Sequence, residues 1–151
     1  MRRELVPAPL LRAVCAHAAA SYPRECCGLL LGPRDGPLDE VRRCANERPD
    51  GRRAFSLAPD DLLALAASLD GPRPALVLYH SHPDAPASFS ADDERLALLG
   101  GATPAWSLLH LVVEVRAGVA RAAALHEWDP VGRRFREVGR YETGATPRPA
   151  V

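Results

Sequence analysis

Apolar positions along the chain follow two periods, one typical of helices and the other typical of buried strands. Residues 7–22 place Leu11, Val14 and Ala18 on one helical face, whereas 26–32 is a continuous apolar run closed by Gly-Pro. On these criteria, helices are predicted over residues 7–22, 59–69 and 90–100, and strands over residues 26–32, 38–45, 54–57, 75–79, 107–116, 119–127 and 131–138. This order predicts an α/β fold of the mixed α+β kind, a single mixed β-sheet flanked by helices.

The length of the chain indicates one domain. Its 151 residues show no internal repeat and are enough to bury a hydrophobic core. We expect the domain to occupy residues 1–142. The final segment, residues 143–151, reads TGATPRPAV and is expected to be a flexible tail.

Charge and cysteine content exclude several classes of protein. Lys+Arg and Asp+Glu both number 19, which gives no electrostatic reason to expect a nucleic-acid or membrane partner. The cysteines, Cys15, Cys26, Cys27 and Cys44, form no C-x-x-C pair, so neither a disulfide scaffold nor a thiolate zinc knuckle is expected. Residues 1–9 lack the long apolar run of a secretory signal. We therefore expect a cytoplasmic protein with reduced thiols; the sequence does not indicate an oligomer.

The first candidate for chemistry is the pair His80 and His82, where a predicted strand ends. Residues i and i+2 of a strand point to the same side, so the two imidazoles can share a cation. An isolated H-x-H also fits two polar residues at a loop entrance, and the pair alone does not separate these interpretations.

Ser90 and Asp93 open the helix that follows the histidines. The pattern Ser-x-x-Asp before an apolar run resembles a capping box, which is a complete structural explanation for both residues. A helix that starts here also directs its first turn toward the histidines, where Asp93 could be a third metal ligand. Asp92 is a competing choice, about 100° round the helix.

Glu25 is the candidate for a general base, the group that takes a proton from an attacking water. It immediately precedes the apolar run CCGLLLG, at the edge of a predicted buried strand. Burial there would tune its pKa for proton transfer. Taken alone, it could equally be an exposed acid following Arg24.

Taken together, Glu25, His80-x-His82, Ser90 eight residues later and Asp93 three further on resemble the JAMM (MPN-plus) zinc metalloprotease signature. The segments ECCGLLLG and YHSHP are also similar to the glutamate and histidine strands of that family. The resemblance covers residues 25–93 closely and implies the MPN/JAMM architecture, which is related to that of cytidine deaminases. Phe89 departs from the pattern, because many bacterial relatives have proline before the motif serine.

The resemblance implies roles for these residues and a substrate class. His80, His82 and Asp93 would bind one Zn²⁺ with a water, Glu25 would act as general base and then acid, and Ser90 would stabilise the oxyanion. The zinc would polarise the scissile carbonyl and lower the pKa of its water. The bond cleaved would follow the C-terminal Gly-Gly of a ubiquitin-like or sulfur-carrier protein, and the chain would be the minimal single-domain form.

Three alternatives remain open at this point. A non-catalytic MPN-type scaffold typically lacks part of the metal set, whereas this chain keeps all of it. A zinc deaminase requires H-x-E and P-C-x-x-C, and neither motif occurs in the sequence. A DNA-repair-associated JAMM-like protein would share the H-x-H-P…S-x-x-D pattern. The remaining histidines, His17, His110 and His126, lack motif spacing and are interpreted as structural residues with satisfied hydrogen bonds.

Overall fold

The computed structural model describes residues 6–142 and 148–149, and within them three helices accompany a seven-stranded sheet. In chain order the elements are α1 (Ala8–Ser21), β1 (Cys27–Leu31), β2 (Glu40–Cys44), α2 (Pro59–Leu69), β3 (Ala75–Pro83), α3 (Ala91–Leu98), β4 (Leu109–Arg116), β5 (Val119–Asp129), β6 (Arg134–Glu142) and β7 (Arg148–Pro149). The predicted helices are confirmed, with bounds that shift by no more than about two residues.

The sheet is mixed, as predicted. Its strands lie in the order β2-β1-β3-β4-β5-β6-β7. Neighbours β3 and β4 are parallel, and the other pairs are antiparallel. The chain between the two parallel strands must cross from one end of the sheet to the other. That crossover contains α3.

Two hydrophobic layers cover the two faces of β1 and β3. On one face, α1 contributes Val14 and Ala18 to a cluster that includes Tyr79. On the other face, Leu65 of α2 packs in a cluster with Leu78. Strands covered on both sides have continuous apolar sequences, which explains the runs seen at 26–32 and 75–79.

Gly28 fixes the approach of β1 to β3. The two strands pair Gly28 with Tyr79, and a Cβ at residue 28 would lie 2.2 Å from the Tyr79 ring. The Tyr79 hydroxyl also hydrogen-bonds Nδ1 of His17 on α1, with an O–N distance of 2.7 Å. The absence of a side chain at residue 28 therefore makes room for the ring that joins α1 to the sheet.

Besides β3, which extends to Pro83 rather than ending at residue 79, two predicted strands differ from the structure. Residues 54–57 form no strand, and only an isolated bridge joins Leu57 to Asn46. The last long strand begins at Arg134 rather than at residue 131, because Val131 is 92% exposed in a turn where its N–H donates to Asp129. Side-chain pattern alone does not locate such a turn.

Most of the predicted tail lies outside the described residues, at 143–147 and 150–151. Within it, Arg148–Pro149 forms β7 and pairs with Gly139 and Arg140. Among the described helices, none has the length and apolar character needed to cross a membrane.

Candidate active site

The histidines lie on the last part of β3, which runs further than predicted. The strand ends at Pro83 rather than at residue 79, so both His80 and His82 are within it and on the same face. His80 pairs with Cys27 of β1 on one side. Ser81, which faces the opposite way, accepts a hydrogen bond from the Cys26 N–H at 2.8 Å. The sheet therefore holds the two imidazoles rigidly.

The start of α3 directs Asp93 toward the histidines. Ser90 Oγ accepts a hydrogen bond from the Asp93 N–H at 3.0 Å, and the Asp93 carboxylate accepts one from the Ser90 N–H at 2.9 Å. This reciprocal pair is the predicted capping box. The competing Asp92 is 76% exposed and pairs with Arg95. Of the two aspartates, the structure brings Asp93 to the histidines.

Three side chains converge at this point. Asp93 Oδ1 is 3.1 Å from His80 Nε2, and Asp93 Oδ2 is 3.1 Å from His82 Nε2. The two Nε2 atoms are 3.1 Å apart. The side chains of His80, His82 and Asp93 are 1%, 10% and 10% exposed, respectively. We call these three residues the ligand cluster.

Neighbouring groups fix both rings. Nδ1 of His82 lies 2.8 Å from the carbonyl oxygen of Pro86, which accepts a hydrogen bond when Nδ1 carries the proton. His82 Nε2 is then an unprotonated acceptor that faces the cluster. His80 stacks on Phe55, with ring centroids 4.6 Å apart. The contact between His82 and Pro86 is of the kind that orients metal-ligating histidines.

Electrostatics make Asp93 the charged member of the cluster. Burial alone would raise the pKa of its carboxyl, but His80 and His82 outweigh burial and hold the pKa well below its usual range. Burial lowers the pKa of His80. At His82, burial alone would lower the pKa, but Asp93 and the Pro86 carbonyl accept hydrogen bonds from the protonated ring and outweigh burial, so the pKa is raised. The ionised carboxylate therefore attracts positive charge to this point.

The donor set fits a zinc ion. Each of the three residues offers a ligand atom, and these atoms lie within 4.8 Å of one another. Two ligands at about 2.1 Å from a tetrahedral ion are roughly 3.4 Å apart, close to the separations seen here. Moreover, His82 Nε2 and the Asp93 carboxylate are both acceptors in this tautomer, and a cation between them removes their repulsion.

Glu25 lies beside the ligand cluster, immediately before β1. It is 5% exposed, and its charge interacts with His82 and Asp93. Among the described residues, its Oε1 has no hydrogen-bond partner. Burial raises the pKa of the carboxyl to about 8. The Asn46 amide donates to the Glu25 carbonyl at 3.0 Å, which fixes the backbone.

Ser90 has one unused hydrogen-bonding function. Its Oγ accepts from the Asp93 N–H in the capping box. A hydroxyl also carries a donor hydrogen, which the capping box leaves free. Capping α3 and donating to a substrate oxygen are therefore compatible tasks for this side chain.

Several residues around the cluster were missed by the sequence prediction. Asn46 joins the backbone of Glu25 to that of Ala54, and Phe55 stacks on His80. Asn46 is followed by Glu47, Arg48 and Pro49 and resembles an ordinary loop residue, so no local pattern distinguishes it. The motif is defined by the spacing of its polar residues, so it likewise does not identify an aromatic neighbour such as Phe55.

The interpretation of the other histidines needs a correction. His17 is satisfied through Tyr79, as expected. His110 and His126 are buried, but in the described part of the chain Nδ1 of each lacks a hydrogen-bond partner. They pair across β4 and β5 and contact Phe89, with ring centroids 5.0 and 5.5 Å away. Aromatic rings therefore pack around both side chains, and His126 also has a hydrogen bond with the backbone of His110.

Comparison with known proteins identifies the family. The chain belongs to the prokaryotic homologs of the JAB domain, which it matches over residues 7–129. This range includes Glu25, Ser90 and the ligand cluster. The family assignment agrees with the resemblance found in the sequence.

Two curated proteins of different kinds are similar to this sequence. The chain is 34% identical over 96 residues to the CysO-cysteine peptidase of Mycobacterium tuberculosis, a match covering 62% of this chain and 64% of that protein. It is 36% identical over 73 residues to the tail tip assembly protein K of Escherichia phage N15, covering 48% of this chain and 28% of that protein. The chain thus spans less than two thirds of the length of either relative.

Solved structures show the same fold. A protein from Desulfitobacterium hafniense is 28% identical with a TM-score of 0.63, covering 83% of this chain and 82% of its own. A protein from Salinibacter ruber is 29% identical with a TM-score of 0.61, and the match covers 87% of this chain and 86% of that protein. A JAB1/MPN domain protein from Archaeoglobus fulgidus is 20% identical with a TM-score of 0.51, and the match covers 87% of this chain and 88% of that protein. The predicted fold class is confirmed.

Proposed function

We propose that this protein is a JAMM-type zinc peptidase that hydrolyses the amide bond after the C-terminal Gly-Gly of a ubiquitin-like or sulfur-carrier protein. One observation carries the proposal: the fold combines the ligand cluster with the buried carboxyl of Glu25, whose charge interacts with His82 and Asp93. The similarity to a CysO-cysteine peptidase supports the substrate class. Absence of a net charge gives no reason to include nucleic acid or membrane among the partners.

In this proposal, His80, His82 and Asp93 hold one Zn²⁺. When bound, zinc polarises a carbonyl and lowers the pKa of water. The three side chains are buried and oriented by β3, the Pro86 carbonyl and the capping box. They would therefore need little rearrangement on binding.

Glu25 moves the proton. Its carboxylate accepts a proton from the attacking water and then donates it to the leaving nitrogen. Burial raises the pKa of Glu25 to about 8, and a nearby cation lowers such a pKa toward neutrality. A carboxyl whose pKa lies near the working pH serves both transfers.

Ser90 stabilises the transition state in this proposal. Its hydroxyl hydrogen, which the capping box leaves free, donates to the oxygen that becomes negative as the carbonyl is attacked. Because Ser90 is fixed at the start of α3, this donor is oriented before substrate arrives. Loss of one such donor typically costs about 100- to 1000-fold in kcat.

A cytoplasmic location is part of the proposal. All four cysteines are free thiols, and Cys26, Cys27 and Cys44 are buried. Free thiols are typical of a reducing compartment.

The test uses a sulfur-carrier protein that bears a cysteine beyond its Gly-Gly. We expect the purified protein to release this cysteine, and a chelator to stop the reaction. Glu25→Gln should abolish cleavage while zinc still binds at one ion per chain. Glu47→Gln, at an exposed glutamate, is the matched control and should cleave like the unsubstituted protein. Cleavage by Glu25→Gln at the full rate would show that the assigned base is wrong.

A further inference from the structure

A hydrophobic slot runs between α2 and α3 and ends at the ligand cluster. Its volume is about 180 Å³. The side chains that form its walls are mainly apolar, among them Leu57, Leu78 and Leu108, and its inner end is bounded by His80 and Asp93. The slot therefore leads to the point where the proposed hydrolysis takes place.

The mouth of the slot is also apolar. Leu62 on α2 is 40% exposed, and Leu96 and Leu99 at the end of α3 are 40% and 65% exposed. Exposed leucines around a concave opening are typical of a surface that receives an apolar group from another molecule.

The inner end has polar atoms that a closed core would avoid. His80 and His110 both line the slot, and within the described residues Nδ1 of each is buried with no hydrogen-bond partner. Buried polar atoms in a closed core are usually paired, so these nitrogens distinguish the inner end of the slot from ordinary core packing.

The size of the slot limits its occupant to one side chain. Engineered apolar cavities of about 150 Å³ bind benzene, so 180 Å³ accommodates a side chain of leucine to phenylalanine size. The two residues that directly precede the proposed scissile bond are glycines, which have no side chain to offer. Because the slot ends at the ligand cluster, the nearest side chain available to it is that of the residue on the leaving side.

The walls of the slot connect it to Glu25, the proposed donor to the leaving nitrogen. Phe55 and Leu57 line the slot, and Asn46 bridges the backbone of this segment to that of Glu25. We propose that the slot is a specificity pocket for an apolar side chain, leucine to phenylalanine in size, on the residue released from the substrate. This inference rests on the proposed peptidase function.

Activity assays test the pocket with two carrier proteins, one ending in Gly-Gly-Leu and the other in Gly-Gly-Gly. We expect kcat/KM to be at least about 10-fold higher for the leucine form, since a buried apolar side chain contributes this much discrimination. Ala97→Leu adds side-chain volume inside the slot and should remove the preference. Because the slot has room for the added atoms, the melting temperature should not fall. Ala67→Leu, the same change on the exposed part of α2, should keep it.

A binding measurement separates the pocket from the peptidase activity. In zinc-free protein, L-leucinamide should shift the NMR signals of Leu78, Ala97 and Trp106, glycinamide should not, and Ala97→Leu should abolish the shifts. Leucinamide binding without cleavage of either carrier would contradict the proposed peptidase function but support the proposed pocket. Equal cleavage of both carriers, or a leucine preference that survives Ala97→Leu, would overturn the pocket.

Discussion

At the scale of single residues, Asp93 joins two structures. One of its carboxylate oxygens accepts from the Ser90 N–H and also faces His82, while the other faces His80. The same side chain therefore caps the N-terminus of α3 and completes the ligand cluster. Its neighbour Asp92 pairs only with Arg95 among the described residues, and the two aspartates form a natural matched pair for experiment.

We expect Asp93→Asn to weaken zinc binding and Asp92→Asn to leave it unchanged. Asparagine can still cap α3, but it removes the charge that attracts the cation. The loss should exceed the roughly 10- to 100-fold cost of removing an outer-shell partner. Competition with a fluorescent chelator measures the dissociation constant. Equal affinities of the two variants would exclude Asp93 as a ligand.

Glu25 should make zinc-free protein less stable as the pH rises. The folded pKa of about 8 lies above the ordinary 4.5, so between these values the folded state binds more protons than the unfolded state. Stability is then lost as pH increases through this window. At pH 7, the raised pKa of Glu25 lowers the free energy of unfolding by about 3 kcal/mol relative to its value at low pH.

Urea unfolding of zinc-free protein at pH 5 and pH 7 measures this effect. Relative to Glu25→Gln, the unsubstituted protein should lose about 2 kcal/mol between the two pH values. His80 and His82 titrate in both proteins, so the comparison cancels them to first order. Glu47→Gln should follow the unsubstituted protein, and parallel pH profiles for all three would contradict the buried position of Glu25.

At the scale of elements, α3 is short and begins at a site residue. Ser90→Ala should destabilise the protein by about 1 kcal/mol through loss of the cap, whereas Ser90→Gly costs only a few tenths. Both changes remove the hydroxyl. We therefore expect both variants to lose kcat by about 100-fold or more, measured on the carrier substrate. Activity retained by Ser90→Gly would restrict Ser90 to capping.

The close approach of β1 and β3 gives a prediction about Gly28. An added methyl group would overlap the Tyr79 ring, which is held by His17 and packed in the core. Gly28→Ala should lower the free energy of unfolding by about 1–3 kcal/mol, measured by urea denaturation. Gly71→Ala is the control, because its nearest contact would be an ordinary 3.5 Å and it should change stability little.

The sequence allows the helices and the buried strands to be predicted, because their apolar spacing is set by the layer that covers them. The capping box at Ser90 is equally local and was found with its partner Asp93. The extension of β3 through His80 and His82 was not predicted. The residues of this extension are polar and do not show the apolar pattern of a buried strand. The strand continues there because it pairs with β4.

The slot could not be predicted, for a related reason. Its walls come from segments far apart in sequence, such as Phe55, Leu78 and Leu108. Each of these residues resembles an ordinary core residue when considered within its own segment. Whether such residues meet face to face or leave a space between them is decided by how α2 and α3 pack on the sheet.

At the scale of the whole molecule, zinc should stabilise the fold. The ligands connect β3 to α3, and a ligand that binds only the folded state adds about 2.7 kcal/mol at 100 times its dissociation constant. For a chain of this size the melting temperature should rise by roughly 5–10 °C. Calorimetry with and without chelator measures the rise. Asp93→Asn should show little of this rise, and Asp92→Asn should show all of it.

The capping box has a consequence for the order in which the centre is assembled. His80, His82 and Asp93 lie within one short stretch of chain, so little loop-closure entropy opposes their meeting around an ion. Glu25 joins them only when β1, from a distant part of the sequence, pairs with β3. In the proposed enzyme, the three metal ligands can therefore meet around an ion before β1 has paired with β3, whereas the base Glu25 joins them only after that pairing.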